Sequence, residues 1–359
     1  MMRPAFSSTK QAAAFAGLLL LILLAPVLED KKFLDSRRDD YAHQGYGNVP
    51  YPWIEQQIFE ETNDIDIAFL GSSLVLNGIN TPYVQSRLSE KLGRPAVVRS
   101  VAWTTGGYDM LYFVTQDLLA HRRVKLLVFD DELPHNGAHN NQLPFRFGEN
   151  RGLWLDQGWH DRGIFYLSAI LGMPNNLLSL CRPNWFDDDN DEFKNWKARL
   201  GSQSCEFGFK SSRWAAYGPF ERFEPVTSTR SSDVLTYSPL TTNFFKFSPQ
   251  PLETFQNYFC HRFAELLQTH TNLQAVMLYM PPPTNHLTAI PEKTFWPEIF
   301  KTRFALVGIS PDRLYAGLSE TEVIKLFQDS GHLNRNGQEY FTKIITPTLI
   351  DLHENAVSN

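Results

Sequence analysis

The sequence predicts an α/β fold, a three-layer α/β/α sandwich with a parallel central sheet and one N-terminal transmembrane helix. Short apolar runs alternate with helical patterns across residues 65–130, and the alternation resumes at about residue 251. Such alternation is typical of parallel strands joined by crossover helices. A third observation is the uncharged, almost wholly apolar run at residues 11–28, which predicts the membrane-spanning helix.

The composition is that of a globular protein with a sizeable core. The chain has 359 residues, of which 43% are hydrophobic and 20% are charged. The formal net charge is -6, and basic residues form only short pairs such as Arg122 and Arg123. A nucleic-acid-binding protein normally carries a basic face, so the sequence argues against nucleic acid as a partner.

The N-terminal apolar run predicts how the protein is anchored. Residues 11–28 number about 18, close to the minimum for a helix that crosses a bilayer. The run has no cleavage site of the A-x-A kind at its end, as a secretory signal peptide would have. We therefore expect an uncleaved anchor over residues 1–30. The alternatives are a cleaved signal and an apolar helix of a soluble protein.

Residues 31–63 are predicted to form a linker and a leading helix, and residues 64–350 the main domain. The first strand of that domain is the run IDIAFLG at residues 65–71, and further strands are predicted at 96–102 and 124–130. Residues 274–283 are predicted to form a strand that runs into a proline-rich loop. Helical patterns cover residues 80–92, 108–123 and about 251–269, and a last helix begins near Asn336. For the first of these helices, Asn80 or Thr81 is the expected N-cap and Gly93 the stop.

Residues 131–250 interrupt this pattern with many Gly, Pro, Asn and aromatic residues. A loop of this length in a compact domain needs structure of its own, which predicts an insertion. Five tryptophans lie in it, and they either fill a small core of the insertion or stack on sugars beside a cleft. These tryptophans are Trp154, Trp159, Trp185, Trp196 and Trp214.

Two short motifs carry the candidate chemistry. The first strand ends in G-S-S-L at residues 71–74, which puts Ser73 on a turn where the functional groups of parallel sheets collect. Asp329 and His332 are three residues apart near the last helix. This spacing lets the aspartate orient the imidazole, which then accepts a proton from the serine. Each motif is weak alone, and their joint order is informative.

In this order the motifs resemble those of the SGNH (GDSL-like) hydrolase superfamily, in which the first strand ends in G-D-S-L and D-x-x-H precedes the last helix. Residues 98–109, VRSVAWTTGGYD, stand where the family has a glycine whose N–H helps to form the oxyanion hole. The run MLYMPPP is similar to the family's strand and proline loop. The resemblance implies a flavodoxin-like fold and the catalytic triad Ser73, Asp329 and His332. It also implies an oxyanion hole from the N–H groups of Ser73 and Gly106 or Gly107, with no cofactor and no metal.

The chain departs from the family at two places. Ser72 replaces the aspartate of G-D-S-L, and the third strand runs VFDDELPHN, with Asp130, Asp131 and Glu132 where the family has an oxyanion asparagine. The N-terminal anchor, the G-S-S turn and the late D-x-x-H-L are similar to those of the D-alanylation protein of teichoic acid synthesis. Relatives of this kind work beside membrane-bound O-acyltransferases, and proteins of alginate acetylation share the overall logic.

The resemblance implies acyl-ester chemistry, as an O-acyltransferase or an esterase, on an extracytoplasmic glycan or similar polymer. The implied location is a single-pass membrane protein with a periplasmic or cell-surface domain, and a membrane-bound O-acyltransferase is the implied partner. A non-catalytic protein that binds a polymer or such an acyltransferase is the alternative from another class. A lipase or esterase for soluble substrates is a third.

The acidic end of the third strand has two interpretations. Asp130, Asp131, His135 and His139 carry carboxylate and imidazole groups, which suit several divalent metal ions. Their spacing fits no strict metal-binding template, and a polar loop beside the serine is the favoured interpretation. The acidic run at residues 187–191 lacks the glycine and glutamate that a calcium loop requires, which favours a solvated turn.

Overall fold

The structure is a computed structural model that describes residues 8–30, 51–103, 108–130, 235–237, 246–248, 254–281, 292–294, 305–309, 311–327 and 331–358. The chain divides into two compact units. The first comprises Met1–Gly45 and Ala138–Asp187, and the second comprises Tyr46–Gly137 and Asp188–Asn359. The first described helix belongs to the first unit, and all other described elements belong to the second.

The described helices alternate with the described strands along most of the chain. The helices are α1 (Thr9–Asp30), α2 (Tyr51–Glu55, continued by a π-helical turn at Gln56–Glu60), α3 (Ser73–Gly78), α4 (Thr81–Leu92), α5 (Tyr108–His121), α6 (Thr254–Thr269), α7 (Pro311–Leu314), α8 (Glu320–Ile324) and α9 (Arg335–Ser358). The strands are β1 (Ile65–Leu70), β2 (Val98–Ser100), β3 (Val124–Asp130), β4 (Leu235–Tyr237), β5 (Lys246–Ser248), β6 (Gln274–Leu278), β7 (Glu292–Thr294) and β8 (Ala305–Gly308).

The main sheet has the strand order β2-β1-β3-β6-β8-β4. Its first five strands are parallel, as the sequence predicts, and β4 pairs with β8 in the antiparallel direction. β5 and β7 form a separate parallel pair. β4 lies within the predicted insertion at 131–250 and extends the main sheet, while most of that segment lies outside the described residues.

β1 is buried along its whole length, which explains its nearly continuous apolar sequence. The helices that follow the strands pack in two groups. α5 packs on α6, where the buried rings of Phe113 and Phe259 lie 5.4 Å apart in an edge-to-face contact. α9 packs against α3 and α4, and Thr342 Oγ1 of α9 accepts a hydrogen bond of 2.9 Å from the Asn80 N–H. α9 therefore supports the turns that follow β1.

Local capping fixes α4 where the sequence predicts it. The side chain of Asn80 accepts a hydrogen bond from the Tyr83 N–H at 3.1 Å, which satisfies one of the free donors at the helix start. Gly93 follows the last turn with φ of +64°, a left-handed conformation that glycine adopts without strain. Both boundaries of the predicted helix are confirmed.

Residues 1–30 are the predicted membrane anchor, and α1 covers most of them. The seven side chains from Leu18 to Leu24 are all exposed. Among the residues that the structure describes, no helix is long and apolar enough to cross a membrane. The predicted transmembrane helix is therefore not found within the described part of the chain. The predicted leading helix at about 53–62 corresponds to α2 and its π-helical turn.

A buried ionic cluster lies at the start of β1. Asp66 is 2% exposed and accepts hydrogen bonds from Arg94 Nη2 at 2.6 Å, Lys125 Nζ at 2.8 Å and the Val97 N–H at 2.9 Å. His353 Nε2 of α9 lies 3.3 Å from the same carboxylate. Burial alone would raise the pKa of Asp66, but these partners together hold that pKa well below its ordinary value. The cluster joins α9 to the amino-terminal end of the sheet.

Candidate active site

The turn after β1 depends on a glycine. Gly71 has φ of +149°, a conformation that side chains rarely tolerate. A Cβ atom at this position would lie 2.6 Å from Asp130 Cγ and 2.8 Å from Val75 Cγ2. The carbonyl of Gly71 accepts a hydrogen bond of 2.9 Å from the Trp103 N–H, which follows β2. The turn is thus held between the carboxyl ends of β2 and β3.

Ser72 is the N-cap of α3, and its side chain points into the protein. Its Oγ accepts a hydrogen bond from the Leu74 N–H at 3.2 Å and donates one to Asp130 Oδ2 at 2.7 Å. The N–H of Ser72 donates a second hydrogen bond to the same oxygen, at 2.8 Å. Ser72 and Asp130 are 1% and 3% exposed, so these bonds form away from solvent. Ser72 is therefore a supporting residue of the turn.

Ser73 is the first residue of α3, and its side chain meets His332. The distance between Ser73 Oγ and His332 Nε2 is 2.6 Å, which is hydrogen-bond distance. When Nε2 carries no proton, the hydroxyl donates to it, and this is the arrangement in which an imidazole can take the serine proton. Both residues belong to the triad that the sequence predicts.

The loop that carries His332 is held from both sides. Phe327 and Leu333 form an antiparallel bridge before and after it. Asn334 is 4% exposed, and its Nδ2 donates hydrogen bonds to the carbonyls of Lys325 at 2.7 Å and Phe327 at 3.1 Å. Its Oδ1 accepts a hydrogen bond from the Gly337 N–H at 3.1 Å at the start of α9. Asn334 thus joins α9 to the chain that precedes the loop.

Gly337 allows this close approach. A Cβ atom on it would collide with the carbonyl oxygen of Leu326 and would lie 2.7 Å from Leu333 Cδ2. The first turn of α9 therefore packs directly on the backbone after α8. Together, Gly337 and Asn334 fix the position from which His332 extends.

Three of the predicted site residues lie outside the described residues. They are the third triad member, Asp329, and the two candidate oxyanion donors, Gly106 and Gly107. The remaining predicted oxyanion donor is the N–H of Ser73. It stands at the first position of α3, where a helix leaves its N–H groups without intrahelical acceptors. An N–H group at such a position can stabilise negative charge that develops beside a serine hydroxyl.

Of the four residues of the metal interpretation, the structure describes Asp130 alone, and the described residues hold no group of three or more His, Cys, Asp or Glu side chains suited to a metal ion. Asp130 uses its Oδ2 for Ser72 instead. Asp131, His135 and His139 lie outside the described residues. Asp130 thus supports the serine turn.

Sequence reasoning did not foresee the contacts of Asp130 and Asn334. The contact of Asp130 had one signal in the sequence. Asp130 is a carboxylate at the end of a predicted buried strand, and functional groups collect at the ends of such strands. An asparagine directly before a predicted helix was a signal for the contacts of Asn334, because asparagine is a preferred N-cap. Ser72, the partner of Asp130, and the carbonyls of Lys325 and Phe327, which accept from Asn334, come near only through the fold.

No protein-family model, no curated protein and no solved structure matches this chain.

Proposed function

We propose that this protein carries out acyl-ester chemistry through Ser73, as an O-acyltransferase or an esterase of the SGNH type. The observation that carries the proposal is the distance of 2.6 Å between Ser73 Oγ and His332 Nε2. The two residues come from the two motifs that resemble the SGNH pattern. A chance hydrogen bond between the nucleophile and base of that pattern, from opposite ends of a domain, is improbable.

The proposed architecture is the three-layer, flavodoxin-like sandwich of the SGNH superfamily. The order β2-β1-β3-β6-β8 of the parallel strands supports it, because numbering these strands along the chain gives the flavodoxin-like order 2-1-3-4-5. The order reverses between β1 and β3, and such switch points are where open α/β sheets bind ligands. Ser73 follows β1, and Asp130 ends β3.

In the proposed mechanism, Ser73 Oγ attacks the acyl carbon while His332 Nε2 accepts the hydroxyl proton. Asp329 orients the imidazole. The N–H groups of Ser73 and Gly106 or Gly107 stabilise the oxyanion. The alcohol of the donor ester leaves with the proton from His332, and an acyl-Ser73 intermediate remains. A sugar hydroxyl or water then attacks this intermediate, again with His332 as base, and Ser73 is restored.

The proposed substrate is an extracytoplasmic glycan or acylated polymer, and the proposed partner is a membrane-bound O-acyltransferase. Both follow from the resemblance to anchored SGNH-like proteins. We also propose that the N-terminal apolar run attaches the protein to a membrane, with the second unit in the periplasm or at the cell surface. The uncharged run at residues 11–28 supports this attachment.

A non-catalytic protein of the same fold is the second candidate. The observation that favours it is the end of β3, where the acidic run Asp130, Asp131 and Glu132 stands in place of the family's oxyanion asparagine. The Oδ2 of Asp130 accepts two hydrogen bonds from Ser72, and a carboxylate offers no N–H donor. Removing one oxyanion donor typically lowers the rate by about 100- to 1000-fold.

Turnover of acetyl esters and acetylated oligosaccharides separates these candidates. We expect the full-length protein, supplied with membranes that contain its acyltransferase partner, to transfer or hydrolyse acyl groups. Ser73→Ala and His332→Ala should fall to background. Asp329→Ala should lose roughly 10⁴-fold instead of roughly 10⁶-fold, because orienting the base is the smaller contribution. Turnover of free esters without a partner would identify a soluble-substrate esterase, and unchanged turnover in Ser73→Ala would reject the proposal.

A further inference from the structure

We propose that Asp130 is a positioning residue for Ser73 and that it acts through Ser72. The inference rests on the proposed function, because it concerns how the nucleophile is aimed. Asp130 is the last residue of β3, and it touches Ser72 but belongs to neither of the motifs that suggest the triad.

The Asp130 carboxylate binds Ser72 at two points. One oxygen, Oδ2, accepts both the N–H and the Oγ–H of Ser72, at 2.8 and 2.7 Å. Hydrogen bonds to an ionised acceptor are about twice as strong as neutral ones. Two such bonds to one residue, one from its backbone and one from its side chain, fix both its position and its orientation.

Ser72 is linked to Ser73 through the start of α3. Ser72 Oγ also accepts the Leu74 N–H, so the hydroxyl that Asp130 fixes is the N-cap of the helix that Ser73 begins. Asp130 therefore sets the start of α3, and with it the direction of Ser73 Oγ toward His332. Gly71 leaves room for the carboxylate, since any Cβ at that position would overlap it.

A positioning role of Asp130 differs from a merely structural one in its effect on Ser73. Asp66 offers a matched control on the same strand system: it is 2% exposed against 3% for Asp130, and it too accepts several hydrogen bonds. Asp66 lies at the start of β1, whereas the serine turn follows the end of β1. If Asp130 only stabilised the fold, Asp130→Asn and Asp66→Asn should affect Ser73 alike.

The experiment measures covalent labelling of the full-length protein in detergent by a fluorophosphonate probe. Its two parameters are the maximal labelling rate and the probe concentration at half-maximal rate. We expect Asp130→Ala to lower the maximal rate about 100-fold, the loss typical of a misplaced reacting group. Asp130→Asn keeps a neutral acceptor and should lose about tenfold. The half-maximal concentration should stay within about twofold, and Asp66→Asn should label like the wild type.

The outcomes distinguish the two proposals. Wild-type rates in both Asp130 variants would overturn the inference while the proposed function stands. An equal loss in Asp66→Asn and Asp130→Asn would also overturn it, because the effect would then be general destabilisation. If Asp130→Ala does not fold by circular dichroism, the two Asn variants decide. A wild-type protein that the probe does not label would reject the proposed function, and this inference with it.

Discussion

Ser73 Oγ lies 2.6 Å from His332 Nε2, although 259 positions separate the two residues in the sequence. Each side chain sits on a short turn that neighbouring residues fix independently. Asp130 holds the turn after β1, and Asn334 holds the loop before α9. Because both turns are supported from buried positions, the pair is preorganised, which is the condition for efficient proton transfer.

We predict that the nucleophile of the G-S-S-L turn is Ser73 and not Ser72. Ser73→Ala should abolish acyl-ester turnover. Ser72→Ala should stay within about tenfold of the wild type, since it removes the two side-chain hydrogen bonds of Ser72 but keeps the nucleophile and the hydrogen bond from the Ser72 N–H to Asp130. Turnover of an acetyl ester, with folding checked by circular dichroism, measures both variants. An inactive Ser72→Ala beside an active Ser73→Ala would move the nucleophile by one residue.

Replacing Gly71 should disrupt the site. Gly71→Ala combines an unfavourable φ with a Cβ that overlaps Asp130, and we expect it to lower the free energy of unfolding by about 3 kcal/mol. It should also abolish labelling of Ser73. Gly93→Ala is the matched control: it too has a positive φ, but its Cβ would meet nothing within 4 Å. That variant should lose about 1 kcal/mol and label normally, and equal losses would contradict the account.

Asn334 should be needed for the stability of the His332 loop. Asn334→Ala removes two donors to carbonyls and one acceptor at the start of α9, so we expect a loss of about 2 kcal/mol in the free energy of unfolding. Asn334→Asp keeps the acceptor but turns a carboxylate oxygen toward two carbonyls. It should therefore be no more stable than Asn334→Ala. Urea unfolding measures both. A wild-type stability of Asn334→Asp would show that only the helix cap matters.

Membrane attachment is tested by fractionation. We expect the full-length protein to stay with membranes after carbonate extraction, because the apolar run at residues 11–28 has no charged residue. Removal of residues 1–30 should release a folded, soluble domain. Extraction of the full-length protein by carbonate would count against the anchor. So would a mature protein that begins near Glu29, which would indicate a cleaved signal.

The Asp66 cluster predicts how stability depends on pH. The folded state holds the pKa of Asp66 below its ordinary value of 3.8, so its contribution is present above that value and is lost as the pH falls toward the folded pKa. We expect the wild type to exceed Asp66→Asn by about 2 kcal/mol at neutral pH, a modest value because Arg94 and Lys125 are partly exposed. The difference should shrink below about pH 4. A difference that grows on acidification would contradict this sign.

Local signals explain what the sequence could predict. Asn80 and Gly93 determine the ends of α4 through contacts within a few residues, and the apolar runs of β1 and β3 identify buried strands without any knowledge of their partners.

The contacts that the sequence could not predict are long-range ones. β4 is a three-residue strand in a segment without periodicity, and its place at the edge of the sheet depends on β8, which follows far along the chain. The carboxylate of Asp130 meets Ser72 across 58 positions. The acidic residues next to Asp130 in the sequence made a metal site one interpretation. Only the fold shows that the partner of Asp130 is Ser72.

The most direct test of the account is the identity of the residue that a fluorophosphonate probe modifies. Peptide mass spectrometry of the labelled full-length protein should find the adduct on Ser73. Labelling should disappear in Ser73→Ala and His332→Ala and persist in Ser86→Ala, which changes an exposed serine of α4. An adduct on another residue, or a wild-type protein that remains unlabelled with its membrane partner present, would contradict the claim that Ser73 is a nucleophile activated by His332.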